Sequence, residues 1–596
     1  MLRMQEVGGS IPLTSTRAFS MYSDHNKPLI VQSDRSLLLE VNNPSFEAAR
    51  DSLLRFADLE KSPEYIHTYR LTPVSLWNAA SSGMVYEDIM GELTRFAKYE
   101  IPKNIAVQIR QWLLRYGRLT LLRKGEYLCL ESDNPALFLE VVEHKKIKRY
   151  VHRVESSSRA VLLEWSRGQI KKECIDLGYP VIDRAGYAHG EPLPFSPDRE
   201  LTLRKYQEDA VGVFLNYERT GGSGIIVLPC GSGKTVVGIG VMARICETTL
   251  ILVTNITAAR QWKQELMRKT TLGEEQIGEY SGEAKQIRQV TVATYQILTY
   301  RKRVEEDFLH LSVLNRENWG LIIYDEVHLL PAPVFRFASE VQGRRRLGLT
   351  ATLIREDGKE RDVFSLIGPK IFDVPWKVLE KQGWISQAFC TEIRCDLPEE
   401  EQYTYALENR RERFKRASVN RKKYEVVKYL LRAHRNDSIL VIGQYIKQLE
   451  HIADELTVPI ITGKTKNTER DVLYERFRKG EIKTLIVSKV ANFAVDLPDA
   501  NVAIQISGTF GSRQEEAQRL GRILRPKKKV KAHFYSVVTR NTEEDQYAEK
   551  RQLFLTEQGY SYEIVDEKNL EDKIPHDRIW QDRIPHDRIR QDRSPL

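Results

Sequence analysis

Between Leu201 and about Leu379, short apolar runs recur at the spacing of a helix and its turns: GIIVL, LILVT, VTVAT, LIIYDE and LGLTAT. Each run is rich in β-branched residues, bounded by turn residues and apolar at consecutive positions. That is the pattern of a strand buried on both faces. With helical segments between them, the runs predict a parallel sheet covered on both sides. The rhythm returns after Gln387 in SILVIGQ, VPIITG, TLIVSK, VAIQIS and AHFYSVV. Two α/β units in tandem, over 200–380 and 381–560, are the simplest account. The second unit contains EEEQYTYALENRRERFKRASVNRKKYEVVKYLLRAHR, a long charged helical stretch.

Upstream the pattern differs. PSFEAARDSLLRFADLEK, TPVSLWNAASSG and PKNIAVQIRQWLLRYG carry apolar residues at helical spacing, so 29–125 predicts a helical module, all-α or mixed. Over 126–199, EYLCLES, ALFLEVVEH and AVLLEW predict short strands or strand–helix units, and RGQIKKECIDLGYPV a helix followed by a strand. The stretch AHGEPLPFSPDRE carries three prolines and predicts a linker. Residues 1–28 are polar and uneven and predict a flexible leader. Over 561–596 the tail repeats IPHDRIWQDR as IPHDRIRQDR, too short a period for a solenoid, and predicts a disordered end without assigned function.

Composition narrows the class. At ~150 residues per domain, 596 residues suggest roughly four domains. Hydrophobic residues at 41% and charged residues at 29% exclude a mainly disordered or collagen-like chain. No window approaches ~18 consecutive apolar residues, and the N-terminus lacks the apolar core of a signal peptide. Neither a membrane span nor secretion is expected. Lys and Arg number 91 against 82 Asp and Glu, a net +9 that is compatible with a polyanionic partner. Six scattered cysteines form no C-x-x-C pair, which gives zinc ribbons and iron–sulfur clusters little support and fits a reduced, cytoplasmic setting.

Three motifs carry chemistry. LPCGSGKT, Leu228–Thr235, follows the run GIIVL and precedes a good helix, the strand–turn–helix setting of a phosphate cradle. Pro229, Cys230, Gly231, Ser232 and Gly233 form the loop, and its glycines let backbone N–H groups converge on phosphate oxygens. Lys234 would reach the β- and γ-phosphates and the Thr235 hydroxyl would bind Mg²⁺. The strict pattern has Gly at position 228, where this chain has Leu. LIIYDEVH sets Asp325 and Glu326 at the C-terminal edge of a strand, where parallel sheets bind ligands. Asp325 can hold Mg²⁺, and Glu326 can orient and deprotonate the attacking water. His328 is not needed for phosphate chemistry and is expected to link the nucleotide to its surroundings. In QEEAQRLGRILRPKKK, Gln518, Arg522 and Arg525 fall on one helix face. From the second α/β unit, such arginines can neutralise charge on the transferred phosphoryl group, an effect of about 10³–10⁵ in rate.

LPCGSGKT, DEVH, LTAT and QRLGRILR, in this order across two α/β units, resemble a superfamily-two helicase. More narrowly, LTATLIREDGKERDVFSLIGPK and SGTFGSRQEEAQRLGRILRPK resemble XPB-type helicases of bacteria. The resemblance is strong over about 200–560 and extends to the N-terminal modules. It implies two tandem RecA-like domains with a helical thumb insertion at about 398–435, preceded by mainly helical and α+β modules, the latter (126–199) resembling a damage-recognition module. It implies ATP and Mg²⁺ as cofactors, adenine contact by Gln207 in LRKYQEDAV, and ribose contact or coupling by Asp496. DNA contact or coupling falls to Thr254, Arg260, His328, Thr350 and Thr352, and further DNA contacts to the TYQ turn and the strand ends around Gly443 and Ser488. The triplet Arg355, Glu356 and Asp357 would stand near the DNA fork, although Arg-Glu-Asp on a turn is otherwise ordinary. Arg410, Arg411, Arg413, Lys415 and Arg416 would clamp DNA or form a charged surface helix.

The implied activity is that of an ATP-dependent 3′–5′ DNA helicase and translocase working in DNA repair, cytoplasmic and nucleoid-associated, with no membrane partner. Its DNA partner would be single strands and duplex junctions bound without sequence preference, and the resemblance leaves room for a repair or nuclease protein as well. Two alternatives stay open: a duplex translocase that does not separate strands, and a DNA-binding scaffold with a vestigial ATPase. An RNA helicase is disfavoured by the triplet and the thumb.

Overall fold

Strands of the first α/β unit split their side chains between two cores. Ile225 and Val227 enter one apolar cluster while Ile226, between them, enters another; Leu250 and Leu252 alternate in the same way with Ile251 and Val253. Period-two alternation within a continuous apolar run means that both faces of the sheet are covered. The computed structural model describes residues 26–574 except 64, 199–200, 217–221, 230, 301–309, 311–316, 343, 352–359, 489–499, 509–530, 558–559 and 561. The chain divides into two units, Met1–Leu76 with Met84–Leu113, and Trp77–Gly83 with Leu114–Leu596.

The first unit holds an antiparallel sheet of β1 (Leu29–Val31), β2 (Ser36–Glu40), β3 (Asp58–Lys61) and β4 (Ile66–Arg70), in the order β1-β2-β4-β3. Helices α1 (Phe46–Leu53) and α2 (Tyr86–Phe96) accompany it. The module is therefore mixed. Strands of three to five residues, two of them mostly polar, are too short to register as a period-two pattern.

The second unit begins with a five-stranded sheet of β5 (Leu119–Lys124), β6 (Tyr127–Ser132), β7 (Val151–Ser156), β8 (Arg159–Leu162) and β9 (Val181–Arg184), ordered β7-β8-β6-β5-β9. Helices α3 (Pro135–Glu143) and α4 (Arg167–Asp176) belong to this module. The run ALFLEVVEH lies in a helix. Asn134 caps it, accepting from the Leu137 N–H at 3.1 Å, with proline at the first helical position.

Two seven-stranded, all-parallel sheets follow. The first comprises β10 (Ser223–Val227), β11 (Thr249–Val253), β12 (Ile277–Tyr280), β13 (Val290–Thr294), β14 (Leu321–Asp325), β15 (Arg345–Thr350) and β16 (Lys370–Asp373), in the order β12-β13-β11-β14-β15-β10-β16. Its helices include α5 (Lys205–Leu215), α6 (Lys234–Ile245), α7 (Ile256–Lys269), α8 (Ala332–Glu340) and α9 (Glu360–Leu366). The second comprises β17 (Ala388–Cys395), β18 (Ile439–Gly443), β19 (Ile460–Ile461), β20 (Thr484–Ser488), β21 (Val502–Gln505), β22 (Ala532–Thr539) and β23 (Tyr562–Asp566), in the order β19-β20-β18-β21-β22-β17-β23. The two parallel α/β units are those the apolar rhythm predicts, and they are the tandem RecA-like domains that the resemblance implies. Strands β12, β16, β17 and β23 carry more polar residues and add to the ten expected.

The charged stretch forms three helices, α10 (Glu399–Leu407), α11 (Arg410–Ser418) and α12 (Lys422–Ala433). The last of them is not part of a solvated insertion. Val426, Val427 and Leu430 enter the core of the second domain, and the Lys423 ammonium is buried against Glu544 at 2.6 Å and the Ile506 carbonyl at 2.9 Å. Among the described residues no helix is long and apolar enough to cross a membrane, and no disulfide is present.

Candidate active site

Five strands of the first RecA-like sheet end on one edge, and the sheet order sorts what they carry. Strands β14, β15 and β10 are neighbours and lead into Asp325, Thr350 and the phosphate loop. Next to β14, strands β11 and β13 lead into Thr254 and Tyr295. The expected nucleotide groups thus lie at the ends of β14 and β10, with Thr350, an expected coupling residue, on β15 between them, and Thr254 and Tyr295 occupy the adjoining part of the same edge.

The phosphate loop has the required backbone. Gly231 and Gly233 adopt φ of 78° and 88°, the left-handed region that glycine enters without a Cβ penalty. A Cβ on Gly233 would also lie 2.6 Å from the Gln207 side-chain nitrogen. The loop opens onto the N-terminus of α6, and the first-turn N–H groups of a helix favour anions. Gln207 is buried, and its amide nitrogen donates to the Ser232 carbonyl at 2.8 Å, as does the Tyr206 hydroxyl at 2.6 Å. The Gln207 carbonyl oxygen accepts from the Arg204 N–H at 2.9 Å, closing a capping box on α5. Gln207 is thus held against the loop itself. Ser232 returns its hydroxyl to the Pro229 carbonyl at 2.6 Å.

Lys234 lies 3.0 Å from a Glu326 carboxylate oxygen, with both side chains largely buried. Glu326 itself stands at φ 51°, ψ 54°, a left-handed conformation uncommon for a residue with a Cβ. That turn lifts its carboxylate off the line of β14 and toward the loop. Burial and the adjacent Glu326 carboxylate push the Asp325 carboxyl up to about 6. Burial acts in the same direction on Glu326, but the Lys234 ammonium and His328 outweigh it and hold that carboxyl below its usual range. Two acids side by side at a buried strand end, one raised and one lowered, are suited to hold a divalent cation and to steer a water. Thr235 and Asp325 supply hard oxygen donors, so the residues present fit Mg²⁺ with a nucleotide phosphate.

His328 is buried, and its Nδ1 is 2.6 Å from the Thr350 hydroxyl and 3.5 Å from a Glu326 oxygen. DEVH and LTAT are therefore in direct contact. Asp325 is gripped from the other side. The Trp262 indole N–H donates to one of its carboxylate oxygens at 2.8 Å, and the Tyr295 hydroxyl donates to its backbone carbonyl at 2.8 Å. The motif reading singles out neither contact. Trp262 had one legible signal: a tryptophan at an apolar helical position carries an N–H that needs a partner once buried.

The outer residues are arranged more loosely. The Thr254 hydroxyl accepts from the Asn255 amide at 3.2 Å, and Arg260 pairs with Glu283 at 2.5 Å, both ends more than half exposed. In the second domain the Gln444 N–H donates to the Ser507 hydroxyl at 2.7 Å, joining the ends of β18 and β21. Three of the thumb arginines are engaged within their own domain: Arg410 with Glu543, Arg413 with the Tyr405 and Ala406 carbonyls, Arg416 with Glu401 and Glu408. Cys230, Thr352, Arg355, Glu356, Asp357, Asp496, Gln518, Arg522 and Arg525 lie outside the described residues.

Comparison with known proteins extends over nearly the whole chain. Residues 379–586 match the family described as ERCC3/RAD25/XPB C-terminal helicase, residues 29–155 match Helicase conserved C-terminal domain, and residues 200–355 match Type III restriction enzyme, res subunit. The DNA 3′-5′ helicase XPB of Kineococcus radiotolerans is 49% identical over 551 residues, covering 92% of this chain and 98% of the relative. That of Mycobacterium tuberculosis is 50% identical over 546 residues, covering 91% and 98%. The XPB helicase/translocase subunit of general transcription and DNA repair factor IIH from Enterocytozoon bieneusi is 35% identical over 565 residues, covering 90% and 92%. Among solved structures, the Hef helicase domain of Pyrococcus furiosus aligns with 59% of this chain and 99% of its own at a TM-score of 0.41 and 15% identity.

Proposed function

The chain belongs to the XPB family of DNA 3′-5′ helicases, and from that premise we propose how its residues divide the work of an ATP-driven motor on DNA. The enzyme is an ATP-hydrolysing 3′–5′ DNA helicase with a role in DNA repair. The observation that carries the assignment of its site is the Lys234–Glu326 pair, which brings the phosphate loop and the DEVH strand end within 3.0 Å of each other.

ATP would enter with its phosphates in the Gly231–Thr235 loop. The β- and γ-phosphates would then compete with Glu326 for the Lys234 ammonium. Freed of that partner, the Glu326 carboxylate can accept a proton from a water lined up with the γ-phosphoryl group. Thr235 and Asp325 would hold Mg²⁺, whose charge offsets that of the phosphate oxygens. Gln207, already bonded to the loop's Ser232 carbonyl, would contact the adenine. His328 and Thr350 would pass the state of Glu326 to the strand end beyond. Arg522 and Arg525 would complete the charge stabilisation from the second domain, so that turnover requires the two domains to close. Thr254, Arg260, the Tyr295 turn and the ends of β18 and β20 would hold the phosphates of one DNA strand, and phosphate contacts give grip without sequence readout. DNA as substrate puts this work in the compartment that holds DNA.

The test combines a variant with a choice of substrates. Lys234→Ala is expected to lose ATP hydrolysis while keeping salt-sensitive DNA binding. The unaltered enzyme is expected to unwind 3′-tailed but not 5′-tailed DNA duplexes, with ATPase stimulated by DNA more than by RNA. Wild-type turnover in Lys234→Ala contradicts the site. Triplex displacement without strand separation on the tailed duplex would make the enzyme a translocase on duplex DNA.

A further inference from the structure

Trp262 sits where these two parts of the sheet edge meet. It belongs to α7, the helix that follows β11 and whose first residues lie beside the expected strand-gripping positions Thr254 and Arg260. Asn255 caps this helix by accepting from the Ala258 N–H at 2.9 Å, which fixes its start against the end of β11. The indole is 2% exposed. Its only polar atom donates to the Asp325 carboxylate at 2.8 Å, across the β11–β14 boundary. The far edge of the ring rests on α6, the helix of the phosphate loop, at Gly238. A Cβ there would fall 2.6 Å from Cη2 of the ring, so only glycine leaves the indole its place. The other Asp325 oxygen accepts from the Glu326 N–H at 3.1 Å. The plane of the carboxylate is therefore set by one bond from its own turn and one from α7. Tyr295, the first residue after β13, adds the bond to the Asp325 carbonyl and is itself buried.

We propose that Trp262 is a positioning residue: it aims the Asp325 carboxylate at the metal–nucleotide site and ties that carboxylate to the helix facing the DNA strand, with Tyr295 as its backbone counterpart. The inference rests on the nucleotide-site reading above. A metal-binding carboxylate must present a lone pair in one direction, and a donor on its second oxygen fixes that direction. Loss of such an outer donor costs about 10–100-fold in metal affinity. Because the donor rides on α7, a shift of that helix when DNA is gripped turns the carboxylate, and a turn of the carboxylate biases the helix. Coupling of this kind is reciprocal between the two ligands.

The experiment uses the full chain and equilibrium binding of a fluorescent ADP, titrated with Mg²⁺ and then repeated with single-stranded DNA present. Trp262→Phe keeps a buried aromatic ring but loses the pyrrole ring with its N–H. It is expected to raise the Mg²⁺ midpoint about tenfold, to lower the melting temperature through the space the pyrrole ring leaves while ADP binding in EDTA stays close to wild type, and to abolish the effect of DNA on Mg²⁺-dependent ADP affinity. Tyr295→Phe is expected to shift the midpoint the same way by a smaller factor. Gly238→Ala, which displaces the indole without removing its N–H, is expected to fall between wild type and Trp262→Phe. A Trp262→Phe protein with an unshifted Mg²⁺ midpoint overturns the proposal, and a lowered melting temperature with that midpoint unshifted assigns the tryptophan to packing alone. Failure of the wild-type protein to bind ADP with Mg²⁺ would instead remove the nucleotide site itself.

Discussion

Glu326 combines a strained backbone with a buried charge. Its left-handed φ of 51° is a conformation that costs energy for a residue with a Cβ, and the surrounding strand end and the Lys234 pair hold it there. Glu326→Gln keeps the side chain's shape and the turn but cannot take a proton. It is expected to bind ATP at near wild-type affinity while turnover falls about 10²–10⁴-fold, the usual worth of a positioned base. Single-turnover hydrolysis beside nucleotide binding checks this, and an unchanged chemical step removes Glu326 from the role of base. Residues like these were legible because their chemistry is local: five loop residues before Lys-Thr, and two acids after four apolar positions, are spacings that a sequence displays directly. The partnership of Trp262 with Asp325 was not, because 63 positions separate them and only the order β11-β14 makes them neighbours.

Elements are joined by groups that hydropathy patterns do not mark. Helix α4 of the α+β module packs against α8 and α9 of the first RecA-like domain, and the contact is built on charge. The Asp183 carboxylate accepts from Arg167 at 2.7 Å and from Lys171 at 3.2 Å, and the Lys171 ammonium also donates to the Gln342 side chain at 2.7 Å. Tyr187 lies beneath the guanidinium groups of both Arg167 and Arg346. Gly168 permits the approach, since a Cβ there would lie 2.4 Å from the Ser339 carbonyl oxygen. Burial pushes the Asp183 carboxyl up, but Lys171 and Arg167 outweigh it and hold it well below its ordinary range. A carboxyl lowered in the folded state contributes stability that is present above its unfolded value of 3.8 and is lost as the pH falls through the folded value. Asp183→Asn leaves the buried Arg167 guanidinium short of its anion, while Lys171, which burial already lowers to about 7, can shed its proton; the change is expected to cost about 3–5 kcal/mol. Thermal unfolding at neutral pH and in acid checks both signs: the variant should melt lower near pH 7, and the gap should narrow in strong acid. A pH-independent gap would mean that Asp183 acts through shape alone. Reading 167–176 as a helix was within reach of periodicity, but reading it as a docking face was not, because its buried Arg167 and Lys171 look like surface residues until their partner is known.

At the scale of the whole molecule, the two RecA-like sheets repeat one plan with different cargo. In the first, the edge carries the loop, the two acids and the turns expected to face the DNA strand. In the second, β18 and β20 end at Gly443 and Ser488, and β21 leads toward the segment that holds Arg522 and Arg525. A site whose cradle and base lie in one domain, and whose expected guanidinium groups lie in the other, can bind nucleotide in any arrangement of the two but can react only when they meet. With the proposed DNA contacts, that separation would make a motor of two phosphate-gripping domains: each closure would advance one grip relative to the other, and each hydrolysis would release it. Arg522→Ala should therefore divide binding from chemistry. ATP affinity is expected to stay within a few-fold of wild type, DNA binding is expected to keep its steep fall with salt, and DNA-stimulated turnover is expected to drop by about 10³-fold or more. Strand displacement on a 3′-tailed duplex should vanish with it, because no step can complete. Binding titrations beside steady-state ATPase distinguish the cases. If ATP affinity collapses together with turnover, Arg522 serves the ground state, and if the DNA-stimulated rate is unchanged, the charge on the transferred phosphoryl group is met from the first domain alone.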